Sequence, residues 1–329
     1  LNNTFALLDN TLNKNQFEKI EELGDKYNKA LDLKHTAKSI FKAENGETAI
    51  IDTTVKEEVE VQTANNGIII NKGILSKGQN GINNSEVYNF GLSNSQSVNN
   101  SIGYNYGIIN SISQNGQSAT GNGIIYNYGL IKTNGSSQST AKNSTELYNY
   151  GNIEYTSSYG VKNTEGYAGS QFINGGTENK GYNYGIIDVF KNNAVIGAGQ
   201  VIKATENNKM YNFGEINTEA VGQYIYTEKQ GKQSPVIYNY GTINLGVNNI
   251  TVEKGQYIEG YVAGDNSVIT NNKAYNYGTI NMADNGVGQY LEKSGEIYNF
   301  GTIKNENGTG YAMEIKDGSE GNYKAENYG

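Results

Sequence analysis

The sequence has no cysteine and no tryptophan, and it contains a single proline and a single histidine. All 25 of its basic residues are lysine, and its formal net charge is −8. The absence of cysteine excludes disulfides, thiolate nucleophiles and thiolate metal ligands. The absence of arginine, together with the negative charge, argues against a general nucleic-acid-binding protein. Such proteins neutralise phosphates with clusters of lysine and arginine, and they often read guanine with arginine.

The residue types that most often carry catalysis are also scarce. His35 is the only histidine, so no second histidine or cysteine can join it in a catalytic triad or a metal site. The acidic residues of the repeat region show no recurrent pairing of the kind that a glycosidase needs. The candidates considered are Asp188, Glu215, Asp265, Asp284 and Asp317. We therefore predict that the protein is not an enzyme and that it holds no cofactor and no metal.

Long apolar runs are missing too. No stretch of the sequence approaches the roughly 18 consecutive apolar residues that cross a bilayer as a helix. The chain opens with Leu1, and residues 326–329 read Glu-Asn-Tyr-Gly, a degenerate copy of the repeat described next. We therefore expect this chain to be a piece of a longer protein.

Asparagine, glycine and tyrosine are abundant, and they are arranged in a repeat. The motif Tyr-Asn-Tyr/Phe-Gly recurs at intervals of 16 to 37 residues. A fixed phrase separated by variable intervals predicts an all-β fold, a parallel β-helix or solenoid. Each turn of such a coil must realign its strands, whereas the loops between the strands can differ in length. The nine copies begin at Tyr88, Tyr104, Tyr126, Tyr148, Tyr182, Tyr211, Tyr238, Tyr275 and Tyr298.

Alternation within the motif predicts which side chains point into the coil. In residues 237–243 one parity carries Ile, Asn, Gly and Ile, and the other carries Tyr238, Tyr240 and Thr242. Because strand side chains alternate between faces, we place the asparagines inside as a hydrogen-bonded ladder and the rings outside as stacked columns. The reverse assignment, with Tyr inside, is open to the sequence alone. The ladder residues are Asn89, Asn105, Asn127, Asn149, Asn183, Asn212, Asn239, Asn276 and Asn299.

A second, weaker phrase lies between some copies of the motif, as in Val-Gly-Gln-Tyr-Ile-Tyr at 221–226. Related text follows Gly255, Gly288 and Gly310, and we predict that it forms another strand of each turn.

Two intervals, 155–181 and 245–272, exceed a bare turn of the coil, and we predict that they carry surface loops that bind a ligand. The alternative is that these loops have no binding role. The candidate ligand contacts are aromatic residues in or near these intervals, namely Tyr159, Tyr167, Phe172, Tyr257 and Tyr261.

The N-terminal segment has a different pattern. Apolar residues from Phe17 to Ile40 fall near helical spacing, with Asn15 placed as an N-cap and Asn45-Gly46 as a stop. We predict an N-terminal helical cap over 1–48 that covers the open end of the core, followed by β-helix repeats over 49–329. A helix that binds a partner is the alternative.

The Asn-x-Gly-x-Ile core of the motif, as in 239–243 and 276–280, resembles the passenger domains of type V secreted autotransporter adhesins, especially the large Asn- and Lys-rich adhesins of anaerobic Gram-negative bacteria. The resemblance covers roughly residues 66–329. It implies a right-handed β-helix on the bacterial surface, anchored by an outer-membrane domain elsewhere in the parent. It also implies a host or bacterial receptor, either a protein or a glycan. No binding residue carries over, because the matching residues are scaffold residues.

The function predicted from sequence is therefore a monomeric, non-catalytic adhesin fragment. Its outward Tyr columns could stack on sugars or contact a protein, or they could only stabilise neighbouring turns. Two alternatives stay open. One is a structural stalk without a ligand of its own, and the other is an enzyme that acts on polysaccharide.

Overall fold

The computed structural model describes residues 42–51, 54–55, 61–111, 115–140, 143–156, 168–190, 197–203, 206–227, 234–246, 253–260, 271–282, 285–305, 308–316 and 323–329. Within these ranges the protein is all-β, and no helix is present. Every described strand pairs in parallel with its neighbours, and the strands form three sheets.

Each sheet takes every third strand of the chain. Sheet 1 contains β1 Lys42–Glu44, β4 Gln62–Asn65, β7 Gln79–Ile82, β10 Gln96–Asn99, β13 Gln117–Thr120, β16 Gln138–Thr140, β19 Ala168–Asn174, β22 Gly197–Lys203, β25 Val221–Tyr226, β28 Lys254–Glu259, β31 Val287–Glu292 and β34 Tyr311–Ile315. Sheet 2 contains β2 Thr48–Ile51, β5 Ile68–Asn71, β8 Glu86–Asn89, β11 Ile102–Asn105, β14 Ile124–Asn127, β17 Glu146–Asn149, β20 Lys180–Asn183, β23 Lys209–Asn212, β26 Val236–Asn239, β29 Lys273–Asn276, β32 Gly295–Asn299 and β35 Tyr323–Asn327. Sheet 3 contains β3 Thr54–Val55, β6 Ile74–Leu75, β9 Leu92–Ser93, β12 Ile108–Ser111, β15 Leu130–Thr133, β18 Asn152–Thr156, β21 Ile186–Phe190, β24 Glu215–Thr218, β27 Thr242–Leu245, β30 Thr279–Met282 and β33 Thr302–Asn305.

Three consecutive strands, one from each sheet, form a rung, and each rung stacks on the one before it. The repeated motif stays in register despite its uneven spacing. Tyr88 pairs with Tyr104, 16 residues away, and Tyr148 pairs with Tyr182, 34 residues away. The variable length therefore lies in the connections between strands. The predicted all-β stack of parallel strands is confirmed, and the arrangement is consistent with a β-helix or solenoid.

The predicted N-terminal helical cap falls almost wholly outside the described residues, which begin at 42. Its last residues differ from the prediction, because Lys42–Glu44 form strand β1 and pair with β4. Neighbouring strand pairing decided this outcome. Residues 42–44 continue the column of sheet 1, where they gain inter-strand hydrogen bonds that outweigh the helical spacing of the preceding sequence.

The motif places its asparagine inside and its rings outside. Ile237 and Asn239 are fully buried, whereas Tyr238 and Tyr240 lie on the opposite face of sheet 2. The glycine that ends the motif is required by close approach between rungs. A Cβ at Gly241 would lie 2.1 Å from the backbone oxygen of Gly214. The backbone N–H groups of Tyr240 and Gly241 both donate to the backbone oxygen of Asn212 in the preceding rung, which fixes this tight corner.

The inward asparagines form a continuous ladder along the axis of the stack, as predicted. Each Nδ2 donates to the Oδ1 of the asparagine in the next rung at 2.7 to 2.8 Å. Most of these amides also donate to a backbone oxygen of the next rung, as Asn212 does to Thr242 at 3.2 Å. The ladder begins at Asn71, passes through all nine predicted asparagines and reaches Asn327.

A second buried ladder, made of glutamine, was not predicted from the sequence. From Gln117 to Gln289 each Nε2 donates to the Oε1 of the glutamine in the preceding rung at 2.6 to 3.0 Å, and the ladder begins with Gln96 as an acceptor. The same Nε2 groups donate to the backbone oxygen of the first Tyr of the motif, as in Gln223 to Tyr238 at 3.0 Å. The glutamines therefore tie sheet 1 to sheet 2. Their donors point toward the start of the chain, opposite to those of the asparagine ladder.

Aliphatic side chains fill the rest of the interior. One cluster joins sheets 1 and 2, with Ile225 and Ile237 fully buried in it. A second cluster lines sheet 3, where Ile243 is buried. Gly222 is the contact between sheets 1 and 3, because a Cβ there would lie 2.5 Å from Ile243 Cγ2. The glycine of the Val-Gly-Gln-Tyr phrase thus lets sheet 1 approach the sheet 3 cluster.

We expect Asn183→Leu to destabilise the protein strongly. The change removes the acceptor of Asn149 Nδ2 and the donor to Asn212 Oδ1, both at 2.8 Å and both buried. Two unsatisfied buried amide groups cost roughly 2 to 5 kcal/mol in the free energy of unfolding. Chemical denaturation followed by circular dichroism measures the loss. The control Asn152→Leu, at an exposed position of sheet 3, is expected to change stability by no more than about 0.5 kcal/mol. Equal losses for the two variants would contradict the ladder's role.

The single proline interrupts a further hydrogen-bonded column at the corner before sheet 2. In this column the backbone N–H of Thr145 donates to Asn179 Oδ1 at 3.0 Å, and the N–H of Asn179 donates to Asn208 Oδ1 at 2.9 Å. Pro235 holds the equivalent position one rung later and has no N–H to give. The next residue of the column, Asn272, accordingly has a buried Oδ1 without a partner in the described part of the chain.

We expect Pro235→Asn to stabilise the protein. The new N–H can donate to Asn272 Oδ1, and satisfying a buried acceptor gains about 1 to 3 kcal/mol. Loss of the proline's conformational restriction costs about 0.4 to 1 kcal/mol, so the melting temperature should rise. Pro235→Ala supplies the N–H without the asparagine side chain. Its melting temperature should lie between those of the unsubstituted protein and Pro235→Asn. If both variants melt below the parent, the missing donor is not what leaves Asn272 unsatisfied.

Candidate functional site

The outer face of sheet 2 carries two columns of stacked aromatic rings. Neighbouring centroids within a column lie 4.8 to 5.3 Å apart, and the ring planes differ by no more than 14°. The first ring column consists of Tyr88, Tyr104, Tyr126, Tyr148, Tyr182, Tyr211, Tyr238, Tyr275 and Tyr298. The second ring column consists of Phe90, Tyr106, Tyr128, Tyr150, Tyr184, Phe213, Tyr240, Tyr277, Phe300 and Tyr328.

Stacking at the strand spacing limits what these columns can bind. The two faces of each ring inside a column already contact the rings above and below it. A sugar would stack on a ring face, and within the columns those faces are occupied. Ring edges and phenol hydroxyls remain for a partner. Such a surface suits contacts with a protein better than stacking on a glycan, because tyrosine edges offer rigid apolar area with a polar tip.

Exposure of the rings changes along the rod. Within the second ring column Phe90 is 37% exposed and Tyr128 is 8% exposed, whereas Tyr240 and Tyr277 in the later rungs are 44% and 43% exposed. The later part of the second ring column forms a continuous apolar surface that we call the exposed aromatic strip. It consists of Phe213, Tyr240, Tyr277, Phe300 and Tyr328.

Ion pairs between neighbouring rungs flank the first ring column. Lys180 Nζ lies 3.2 Å from Glu146 Oε1, and Lys273 Nζ lies 2.9 Å from Glu296 Oε2. These partly exposed pairs contribute little to stability. They place charges of both signs beside the first ring column, on the side away from the second ring column.

Burial keeps the phenols neutral. Burial first, and then the neighbouring phenols Tyr211 and Tyr275, raise the pKa of Tyr238 to about 12. Burial also raises the pKa of Tyr148, and the hydrogen bond that its hydroxyl donates to Glu146 Oε2 at 2.7 Å adds to the rise. The ring columns therefore carry no charge of their own near neutral pH.

A smaller aromatic cluster lies on the outer face of sheet 1. The ring of Tyr257 stacks on Tyr224 at 4.7 Å, and Lys254 Nζ lies 4.9 Å from the Tyr257 centroid. The hydroxyl of Tyr257 donates to Glu292 Oε2 at 2.7 Å. Tyr257 is only 4% exposed, so little of its ring is open to a ligand.

Two of the predicted ligand contacts lie in or beside this cluster. Phe172 and Tyr257 lie in strands β19 and β28 of sheet 1, not in surface loops. The intervals 155–181 and 245–272 were predicted to carry surface loops because they are longer than a bare turn of the coil, and each of them also contains a strand of sheet 1. The other three predicted contacts, Tyr159, Tyr167 and Tyr261, lie outside the described residues. The structure does not bring the predicted contacts together in one described site.

The exposed aromatic strip was only partly visible in the sequence. The motif predicted that the rings point outward, but it did not distinguish exposed rings from covered ones. Tyr155 differs from the rings of the motif because its side chain points into the interior. Tyr155 in β18 is buried in the sheet 3 cluster, and burial raises its pKa to about 12.

Two of the acidic residues singled out in the sequence take part in hydrogen bonds between rungs. Asp188 Oδ1 accepts from Asn217 Nδ2, and Glu215 Oε1 accepts from Asn244 Nδ2, each at 2.8 Å. Both carboxylates thus belong to a polar column on sheet 3. Across the ranges given above, no group of three or more His, Cys, Asp or Glu could hold a metal ion. His35, Asp265, Asp284 and Asp317 lie outside the described residues.

No described helix is long and apolar enough to cross a membrane. Comparisons of the chain with protein-family models, with curated protein sequences and with solved structures gave no match.

The shifted phenols predict a loss of stability at alkaline pH. The folded protein holds the pKa of Tyr155, Tyr182 and Tyr238 at about 12, above the ordinary 10.0 of an unfolded chain. The unfolded state therefore loses protons first. The free energy of unfolding should be flat below about pH 10 and should fall as pH rises from 10 toward 12. Denaturation series between pH 8 and 12 measure this. Constant stability across that range would show that the rings are not desolvated.

Proposed function

We propose that this chain is part of the passenger region of a type V secreted autotransporter adhesin of a Gram-negative bacterium. In this proposal the stacked sheets close into a right-handed β-helix outside the cell, and an outer-membrane domain elsewhere in the parent anchors it. The chain itself performs no catalysis. Its role is non-covalent binding of a receptor on a host cell or a neighbouring bacterium.

The exposed aromatic strip is the observation that carries this proposal. It is a row of aromatic side chains held on a rigid stack, and monomeric proteins rarely leave such rows uncovered unless they bind something. Aromatic rings also dominate binding energy at protein interfaces. Because the ring faces are already stacked, we propose a protein receptor rather than a glycan.

A structural stalk is the second candidate, and the same stacking supports it. Each ring gains contacts from the rungs above and below, so the columns have a stabilising role even without a receptor. Ion pairs such as Lys132–Glu154 and Lys180–Glu146 also join neighbouring rungs and need no partner. The two candidates differ in one observable, which is whether the isolated chain binds cells.

We expect the purified chain to bind cultured host cells or partner bacteria, and Tyr240→Ser/Tyr277→Ser to reduce that binding at least tenfold. Both substitutions remove exposed rings from the strip. The matched control is Tyr311→Ser/Tyr323→Ser, which removes two exposed rings outside the strip. Flow cytometry with labelled protein measures binding, and circular dichroism verifies the fold of each variant.

Three results are distinguishable. Loss of binding in the strip variant alone supports the adhesin and places its receptor site. Equal binding by the parent and the strip variant shows that the receptor binds elsewhere. If the folded, unsubstituted chain binds none of the cell types that the longer protein binds, this part of the protein is a stalk.

A further inference from the structure

The second ring column contains a pair of neighbouring tyrosines that are both exposed. Tyr240 and Tyr277 lie in adjacent rungs, their ring centroids are 5.0 Å apart, and their planes differ by 6°. In every other pair of stacked tyrosines among the described residues, at least one ring is buried or partly buried. This pair is therefore the place in the described columns where two phenols are in contact and both open to solvent.

Phenylalanines lie on either side of the pair. Phe213 stacks on Tyr240 at 5.1 Å, and Phe300 stacks on Tyr277 at 5.1 Å. A phenol that loses one electron and its hydroxyl proton becomes a phenoxyl radical, whereas phenylalanine has no hydroxyl proton to lose. A radical on either tyrosine therefore has one phenol as its neighbour within the second ring column, and that phenol is the other member of the pair.

The first ring column places further phenols beside the pair. The centroid of Tyr238 lies 6.0 Å from that of Tyr240, and the centroid of Tyr275 lies 6.2 Å from that of Tyr277. The rings of Tyr238 and Tyr275 are only partly exposed. Electrons pass readily between aromatic rings at such separations, so a radical that forms on the first ring column reaches the exposed pair.

Coupling of two stacked phenols requires their rings to move. A carbon–carbon bond is about 1.5 Å long, so the rings must tilt until their ortho carbons meet. Close packing resists such a movement for buried rings, whereas exposed rings have free space on one side. Backbone hydrogen bonds hold the two rungs together during the movement, since the N–H groups of Tyr277 and Gly278 both donate to the Asn239 oxygen, at 2.7 and 2.9 Å.

We propose that Tyr240 and Tyr277 are a site of oxidative cross-linking, at which a one-electron oxidant joins the two side chains as dityrosine. Each phenol gives up one electron and its hydroxyl proton, and the two phenoxyl radicals combine through their ortho carbons. The hydrogens on those carbons then move to the oxygens as the rings regain aromaticity. The pair loses two electrons and two protons in total. Hydrogen peroxide, acting through a haem peroxidase, accepts them and is reduced to two water molecules.

The cross-link joins one rung of the rod to the next by a covalent bond. It closes a loop that runs from residue 240 to residue 277, and a covalent link across a long loop stabilises a protein by restricting its unfolded chain. The oxidised rod therefore resists unfolding better than the reduced rod.

This inference does not depend on the proposed receptor, because it concerns the chemistry of two side chains within one molecule.

Peptide mapping of the oxidised protein tests the proposal. The full chain, at low concentration, is treated with hydrogen peroxide and a haem peroxidase and is then digested with trypsin. Cleavage after lysine places the two tyrosines in separate peptides, 233–254 and 274–293. We expect these peptides to be joined with the loss of two hydrogens, and tandem mass spectrometry should place the new bond between Tyr240 and Tyr277.

Phenylalanine variants test whether the bond belongs to this pair. Tyr240→Phe and Tyr277→Phe keep a stacked ring and remove only the hydroxyl, and each should lower the yield of the joined peptides at least tenfold. The matched control Tyr238→Phe removes a less exposed phenol from the same rung, and its yield should stay within about twofold of that of the unsubstituted protein. Circular dichroism verifies the fold of each variant before oxidation.

Thermal unfolding supplies a second readout. The oxidised, unsubstituted protein should melt at a higher temperature than the untreated protein, and Tyr240→Phe should show no such rise. Joined peptides that persist in Tyr240→Phe would overturn the proposal. Dityrosine found only between molecules, bonds mapped to other tyrosines of the monomer, or oxidised protein without dityrosine would also overturn it.

Discussion

The rest of the structure depends on the buried amide ladders. Each rung must deliver one asparagine at a fixed height, and most rungs deliver a glutamine as well, because a rung that slipped by one residue would leave buried amides without partners. The two ladders run in opposite senses, with asparagine donors pointing toward the end of the chain and glutamine donors toward its start. Their aligned amide dipoles therefore oppose one another, and the interior gains hydrogen bonding without accumulating a dipole along the axis.

The ring columns follow from the asparagine ladder. Because Asn239 points inward, alternation turns Tyr238 and Tyr240 outward, and the strand spacing then brings the rings of successive rungs into contact. The surface of the rod is thus a consequence of its interior. Stacked faces also narrow the chemistry that the rod can recognise, since only ring edges and hydroxyls meet a partner. An extended, repetitive surface of this kind suits recognition of a protein spread over several rungs.

Much of this could be predicted from one motif. The alternation in residues 237–243 was sufficient to orient asparagine and tyrosine correctly, because inward and outward positions differ in chemistry at every copy. The glutamine ladder escaped prediction because its members stand in different local sequences, with Ser after Gln96, Gln117 and Gln138 but with Phe172 after Gln171 and Tyr224 after Gln223. Only the pairing register shows that they share a column. The strand that contains Phe172 was not predicted for the same reason, since sheet 1 lacks one fixed phrase along its whole length, whereas the strand that contains Tyr257 follows Gly255 as predicted.

The sequence by itself determined the rung: its parallel strands, its inward asparagine and its outward rings. These features depend on local alternation and on a hydrogen-bonding need that recurs at every copy. Tertiary structure decided which outward rings are exposed. Tyr128 and Tyr240 occupy the same position of the motif, yet they are 8% and 44% exposed. The reason is that burial depends on what packs against a face from elsewhere in the chain, and no local pattern contains that information.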